Sequence, residues 1–198
     1  MHIDYSNMPN GTSKLNFTLR YIFNILRTWY LFHIRYPWVK YNGFVRVMKG
    51  TTFARKKIIL GKNVQFGQYC HVDTDITLGN NVLIAGRVCF IDKYGHQFNK
   101  VGQTIWDSES KKGETIIIGD DVWICDGAFI LSGCRVGNGS ILTARSVLTH
   151  DIPECEIWGG VPARKIKDRF LNEKDKKEHL NYLNRIRNEC RSCSERRF

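Results

Sequence analysis

A secretory leader is not expected here. The start MHIDYSNMPNGTSK has no basic segment followed by an apolar core and a small-residue cleavage site, so the expected location is the cytoplasm. A long uncharged run is also missing. The most apolar stretch, residues 15–34, is interrupted by Arg20 and Arg27, whereas a membrane span needs about 20 mostly apolar residues. The seven cysteines are an odd count at irregular intervals, which argues against a disulfide framework. One CxxC pair, Cys190 and Cys193, supplies only half a zinc site, and no metal is expected. Acidic residues are scarce, 19 against 30 Lys and Arg. The resulting charge of +11 favours an anionic partner. Nucleic acid, an acidic membrane surface and a phosphorylated cofactor satisfy it equally. With no aromatic-basic platform and no helix-turn-helix pattern, nucleic acid is not the expected partner.

What is present suffices for one packed domain with terminal extensions. A chain of 198 residues with 42% hydrophobic content can bury a substantial core. Residues 1–47 read as a helical extension, in which Leu15, Leu19, Ile22, Phe23, Leu26, Trp29 and Tyr30 recur at three- and four-residue spacings, as on one helix face. Arg20, Asn24, Arg27 and Arg35 take the other side, and Pro37 marks the end. Such a helix can cap the open end of the domain that follows, or rest as a basic amphipathic helix on an anionic membrane, or do both. Residues 154–198 finish in a charged segment whose Leu171, Leu180, Leu183 and Ile186 form a thin apolar stripe. They read as a helix with a basic tail.

Between residues 48 and 153 the chain repeats every six residues. From Leu60 it reads LGKNVQ, FGQYCH, VDTDIT, LGNNVL, IAGRVC, and after one break it resumes as IGDDVW, ICDGAF, ILSGCR, VGNGSI, LTARSV, LTHDIP. Leu60, Phe66, Val72, Leu78, Ile84 and Phe90 lead the first run; Ile118, Ile124, Ile130, Val136, Leu142 and Leu148 lead the second. An α-helix cannot hold this period on one face, because six residues turn it by about 600°. A coil of short strands and tight corners can. With three hexads to a turn, Leu60 stacks on Leu78, Ile118 on Val136 and Ile124 on Leu142. Gly61, Gly67, Gly79, Gly119 and Gly137 fill the second position, where the backbone bends at a corner. Cys70 and Cys134 fall where the repeat wants small buried residues. A sandwich would show alternating patterning and irregular turn spacing instead. The expected fold class is an all-β solenoid.

The hexad [LIV]-G-x-x-[small or aliphatic]-x, a long loop ending one coil, the triplet VWI at Trp123 and the segment GVPA at Pro162 together resemble the hexapeptide-repeat acyltransferases. The resemblance covers about residues 48–167 and includes maltose and galactoside acetyltransferases, xenobiotic acetyltransferases and enzymes that O-acetylate surface polysaccharides. It implies a left-handed parallel β-helix with an N-terminal helix, one long inserted loop and a C-terminal helix. It also implies a homotrimer with active sites between subunits, and acetyl-coenzyme A as co-substrate.

The break, residues 91–115, reads DKYGHQFNKVGQTIWDSESKKGE between its bounding residues, and His96 is its only histidine. A long polar insertion held at both ends by a rigid wall suits a functional loop. Moving an acetyl group from a thioester to a hydroxyl requires removing the hydroxyl proton, a task for imidazole near neutral pH. His96 is therefore the expected general base, and the family's histidine likewise follows a coil beginning like Ile84-Ala85. Asp92 either fixes the imidazole tautomer or closes the loop. Where that family has His-Pro, this chain has His96-Gln97.

For coenzyme A the resemblance implies Ala85, Trp123, Asp126 and Ala144 beside the pantetheine arm, and Thr149, His150, Arg164 and Lys167 nearer the phosphates. Arg145 and Lys165 are close enough in sequence to join them. Cys125 replaces a frequent glycine, and His150 a frequent Lys or Arg. His71 points outward from its hexad and, with neighbouring Asp73, is the candidate acceptor contact; surface polarity explains it as well. A γ-type carbonic anhydrase, also a left-handed β-helix, would need a His-x4-His pair, which the six histidines do not contain. A solenoid without chemistry would not need His96, Trp123 and GVPA together. The expected function is direct acetyl transfer to a sugar hydroxyl of a cell-surface polysaccharide, with serine or an antibiotic as alternative acceptors. Basic termini suit peripheral contact with the membrane.

Overall fold

A hexad with apolar first and fifth residues must turn both inward, and the computed structural model, which describes residues 8, 10–111 and 113–195 with side chains to residue 189, shows how. The leading residues Phe66, Val72, Phe90, Ile124, Ile130, Leu142 and Leu148 are fully buried, as are Val64, Cys70, Ile76, Val82 and Val88 in the fifth position. Burial pushes the Cys70 thiol pKa up, and that of Cys134 up to about 11, so both are protonated packing groups.

Three hexads close one turn, so strands stack into three parallel faces. The first face takes Val39–Tyr41, Ile58–Leu60, Ile76–Leu78, Ile116–Ile118 and Arg135–Val136. The second takes Val45–Val47, Val64–Phe66, Leu83–Ile84, Trp123–Ile124, Ile141–Leu142 and Glu156–Gly160. The third takes Thr52–Phe53, His71–Val72, Cys89–Ile91, Phe129–Leu131 and Val147–Leu148. Leu60 pairs with Leu78, Ile118 with Val136 and Ile124 with Leu142, the ladders expected from the period. The coil starts upstream of residue 48. Its first strands lack the glycine hexad, so backbone pairing reveals them where the sequence period does not.

The corners hold two features. A Cβ on Gly67 would stand 2.4 Å from the Ala85 carbonyl carbon, and one on Gly137 would stand 2.5 Å from the Glu154 nitrogen. The second-position glycines thus answer to the coil above. Left-handed backbone falls two residues later, at Asn63 and Asn81 among others. The third position carries an Asn/Asp ladder: Lys62 N–H donates to Asn80 Oδ1 (2.9 Å), Asn80 N–H to Asp120 Oδ1 (2.7 Å) and Asp120 N–H to Asn138 Oδ1 (2.8 Å).

Both ends of the coil are closed. At the start, α1 (Lys14–Tyr30), capped by Ser13 accepting from Asn16 N–H, runs into a single wide turn at Leu31–Arg35. Buried Leu31, Phe32 and Tyr36 make the plug, with Phe32 and Tyr36 packed edge-on against Phe53. The apolar stripe expected to form the cap is instead exposed, and only Thr28 of α1 is buried. At the other end Ala163–Asp168 turns back antiparallel on Glu156–Gly160. Then α2 (Glu173–Glu195) returns along the Asn/Asp corner. There Arg187 bonds Asp120 Oδ2 (2.7 Å), and His179 and Arg169 meet Asp121 Oδ2 (2.9 and 2.7 Å). Of the predicted α2 stripe, Leu183 is buried, whereas Leu171 precedes the helix and is fully exposed because ion pairs hold this helix. Cys190 and Cys193 lie outside the described side chains.

Asp120 serves both the corner ladder and α2. Replacing it with Ala should lower stability by about 3 kcal/mol, and with Asn, which retains the Oδ1 acceptor, by roughly half that. Denaturant midpoints measure the two, and equal losses would assign the whole effect to the Arg187 ion pair.

Candidate active site

The insertion leaves the coil at the corner between the third and first faces and returns without disturbing it. Ile116–Ile118 pairs directly with Ile76–Leu78, placing Ile118 opposite Leu78 as though nothing intervened. The two stems meet adjacent residues, the first at the Ser132 hydroxyl and the second at the Gly133 backbone. Ser132 Oγ donates to Asp92 Oδ1 (2.8 Å) and accepts from Lys93 N–H (2.8 Å), while Gly133 N–H donates to the Glu114 carbonyl (2.9 Å). Gly113 passes so close that a Cβ would meet Asp92 Oδ1 at 1.8 Å. The hydrogen bond described for Asp92 is to Ser132 at the stem of the loop.

The group beside His96 is Ser108, which the sequence reading did not single out. Its Oγ lies 3.3 Å from His96 Nδ1 and donates to the Ile105 carbonyl at 2.6 Å. Having one proton, Ser108 can only accept from the imidazole, which places the ring proton on Nδ1 and leaves the Nε2 lone pair open. Within the loop Thr104 Oγ1 donates to Asp107 Oδ2 (2.6 Å), and Gln97 N–H to the Glu109 carbonyl (3.3 Å). A hydroxyl in a neighbouring turn carries no motif. Exposed His96 is accompanied by Phe98, Val101 and Trp106, which are 81%, 100% and 90% exposed.

The other expected residues fall into three places. Ala85, Asp126, Ala144 and Arg145 gather on the corner between the second and third faces, where Arg145 N–H donates to the Asp126 carbonyl (2.9 Å) and Arg87 pairs with the Asp126 carboxylate. Thr149 and His150, joined by Thr149 Oγ1 and His150 Nδ1 at 2.8 Å, continue the corner of the loop stems. Trp123, half exposed, projects from the second face in the outward ladder Leu83, Trp123, Ile141, Ile157 and Lys167. Lys167 and Arg164 are exposed at the end of that face. Lys165 differs from them: it donates to Glu156 Oε1 (2.9 Å) and Asp168 Oδ1 (2.8 Å), which pushes its pKa up to about 12 and commits its charge internally. His71 stands on the third face, its Nδ1 2.7 Å from Thr52 Oγ1, and Asp73 stands at the corner one coil before the loop. Among the described residues no three His, Cys, Asp or Glu side chains gather to hold a metal ion.

Stacked hexads with one polar loop on a corner define a hexapeptide-repeat solenoid, and residues 115–150 match the family described as bacterial transferase hexapeptide (six repeats). WbbJ of Escherichia coli (strain K12), named as a lipopolysaccharide biosynthesis O-acetyl transferase, is 32% identical over 123 residues, 58% of this chain and 62% of that one. The chloramphenicol acetyltransferase of Klebsiella aerogenes is 43% identical over 67 residues, 34% of this chain and 31% of that one. The chain thus spans less than two thirds of these curated relatives. The N-acyltransferase AntD of Bacillus cereus, solved with dTDP and 3-hydroxybutyryl-CoA, shares the fold at a TM-score of 0.60 and 19% identity, covering 76% of this chain and 82% of that one. The resemblance to hexapeptide-repeat acyltransferases is borne out.

If Ser132 unites the stems, Ser132→Ala should raise amide hydrogen exchange across residues 93–111 at least about tenfold while the strands flanking the loop stay protected. Exchange mass spectrometry reads both segments in one experiment.

Proposed function

We propose that the protein is an acetyl-coenzyme A dependent O-acetyltransferase acting on a sugar hydroxyl, a unit of a cell-surface polysaccharide, with His96 as general base. The observation that carries this reading is the Ser108 contact that leaves His96 Nε2 as an open acceptor on an anchored loop. Nε2 takes the acceptor's hydroxyl proton as its oxygen attacks the thioester carbonyl. The tetrahedral oxyanion, held by a backbone N–H of the solenoid wall, collapses, and the thiolate leaves with the proton from the imidazolium. No acyl-enzyme forms. The relative named for lipopolysaccharide O-acetylation supports the sugar acceptor, and a cytoplasmic location follows from the supply of acetyl-coenzyme A.

The pantetheine arm lies along Ala85, Trp123, Asp126 and Ala144, and its phosphates meet Arg164, Lys167 and Arg145, with Thr149 and His150 supplied from the loop corner of a neighbouring copy; Lys165 positions the last strand. A homotrimer completes the site. In a three-faced prism the loop corner is opposite the second face, so His96 of one chain and Trp123 of the same chain point apart, whereas a neighbouring copy can bring its own second face to the loop. Exposed Phe98, Val101 and Trp106 then find cover. The chloramphenicol acetyltransferase match favours a second reading, with a small non-sugar hydroxyl as acceptor.

Mass spectrometry of nucleotide-linked and lipid-linked sugars, serine and chloramphenicol, each incubated with acetyl-coenzyme A, separates these readings. A gain of one acetyl on a sugar is expected; a gain only on serine or chloramphenicol selects the second reading, and none at all refutes both. His96→Ala should lower kcat by about a thousandfold. Ser108→Ala should lower it by about tenfold with the KM for acetyl-coenzyme A unchanged, whereas Trp123→Ala should raise that KM.

A further inference from the structure

Positive charge is concentrated toward the start of this protein. Residues 5–72 hold 11 Lys and Arg and no Asp or Glu, while the other 19 basic residues are matched by 19 acidic ones. That segment, which includes α1 and the first coils, therefore carries a net charge of +11. The ion pairs of Arg87, Lys165, Arg169, His179 and Arg187 lie outside this segment.

The same end carries an unpartnered apolar face. α1 is attached to the coil through Tyr21, stacked on Phe44 at 5.1 Å, and Thr28, which donates to the Val45 carbonyl at 2.6 Å. At about 100° per residue, Leu15, Leu19, Ile22 and Leu26 project from the opposite side. They are 68%, 56%, 38% and 63% exposed, and Phe23 and Trp29 beside them are 62% and 52% exposed. Between this stripe and the coil runs a groove of about 510 Å³ lined by Leu19 and Phe23 and by Arg20, Arg27, Arg46 and Lys49.

We infer that α1 is an in-plane membrane anchor that lays its apolar stripe into an anionic bilayer, with the cations of the groove on the lipid phosphates. An amphipathic helix of this kind buries its apolar face about 5–10 Å deep at the headgroup boundary, and its affinity sums apolar burial with attraction to anionic lipid. No helix of the described residues is long and apolar enough to cross a membrane, so the contact is in the plane. A second copy is the poorer occupant because it would bring two segments of the same net positive charge together. Nucleic acid would neutralise the charge and leave the stripe in water. The inference extends the reading of a surface-polysaccharide acetyltransferase by bringing the enzyme to lipid-linked acceptors, but no residue of the anchor belongs to the transfer machinery.

Flotation of the full chain with phosphatidylglycerol–phosphatidylethanolamine vesicles, and with phosphatidylcholine vesicles, tests it. Binding to the anionic vesicles alone is expected. Leu19→Ser combined with Leu26→Ser should cut the bound fraction about tenfold, and Arg20→Gln combined with Arg27→Gln should cut it similarly. Leu19, Leu26 and Arg20 are exposed and Arg27 is half-buried in the groove, none of them in the core, so the thermal midpoint and acetyl transfer to a soluble acceptor should match the unaltered protein. Absence of flotation overturns the inference, as does undiminished binding of the leucine variant, which would mean adsorption by charge alone. A smaller oligomer for that variant by light scattering, with flotation unchanged, would assign the stripe to self-contact. Failure of acetyl transfer with flotation intact would refute the transfer reading and leave the anchor standing.

Discussion

Backbone N–H and C=O groups on successive coils bond directly, and the close approach this demands constrains everything else in the molecule. At the corners there is no room for a Cβ, as the 2.3 Å separating a built Cβ on Gly61 from the Gly79 carbonyl oxygen makes plain. With corners this tight, each strand of the coil as far as Val147–Leu148 is only two or three residues long, and every third hexad must present the same residue type to the interior. The Asn/Asp ladder then satisfies corner N–H groups that no strand reaches.

A coil built this way is uniform along its length and has two exposed ends, each with unpaired strand edges. The chain treats them differently. An aromatic plug of Phe32 and Tyr36 on Phe53 closes the first, using apolar area. An antiparallel strand and ion pairs from α2 close the second, and there the fifth position changes from aliphatic to serine: Ser140 donates to the Pro153 carbonyl at 2.6 Å, and Ser146 accepts from Gly160 N–H at 3.1 Å.

Much of this was legible beforehand because a six-residue period leaves few alternatives. Leading residues, stacking partners and the position of the loop follow from counting. The start of the coil did not, since Val39–Tyr41 and Val45–Val47 pair through their backbones without the glycine hexad. The Asn/Asp corner was visible as residues but not as a ladder, because side-chain acceptors signal only once coils are stacked. The site was less readable. His96 stands out by type and place, whereas Ser108 and Ser132 act through geometry that any serine in a turn could equally lack. Lys165 looked like its neighbours Arg164 and Lys167, and only Glu156 and Asp168 distinguish it.

The seamless splice at Ile76 and Ile116 has a further implication. The scaffold's free energy is indifferent to what the detour contains, provided Ser132 and Gly133 still receive the two stems. Lengthening such a detour costs only chain entropy that grows with the logarithm of its length, about 0.6 kcal/mol per doubling. The loop is thus a replaceable cassette on a fixed mount, whose sequence can be rewritten without reopening the problem of how the chain folds.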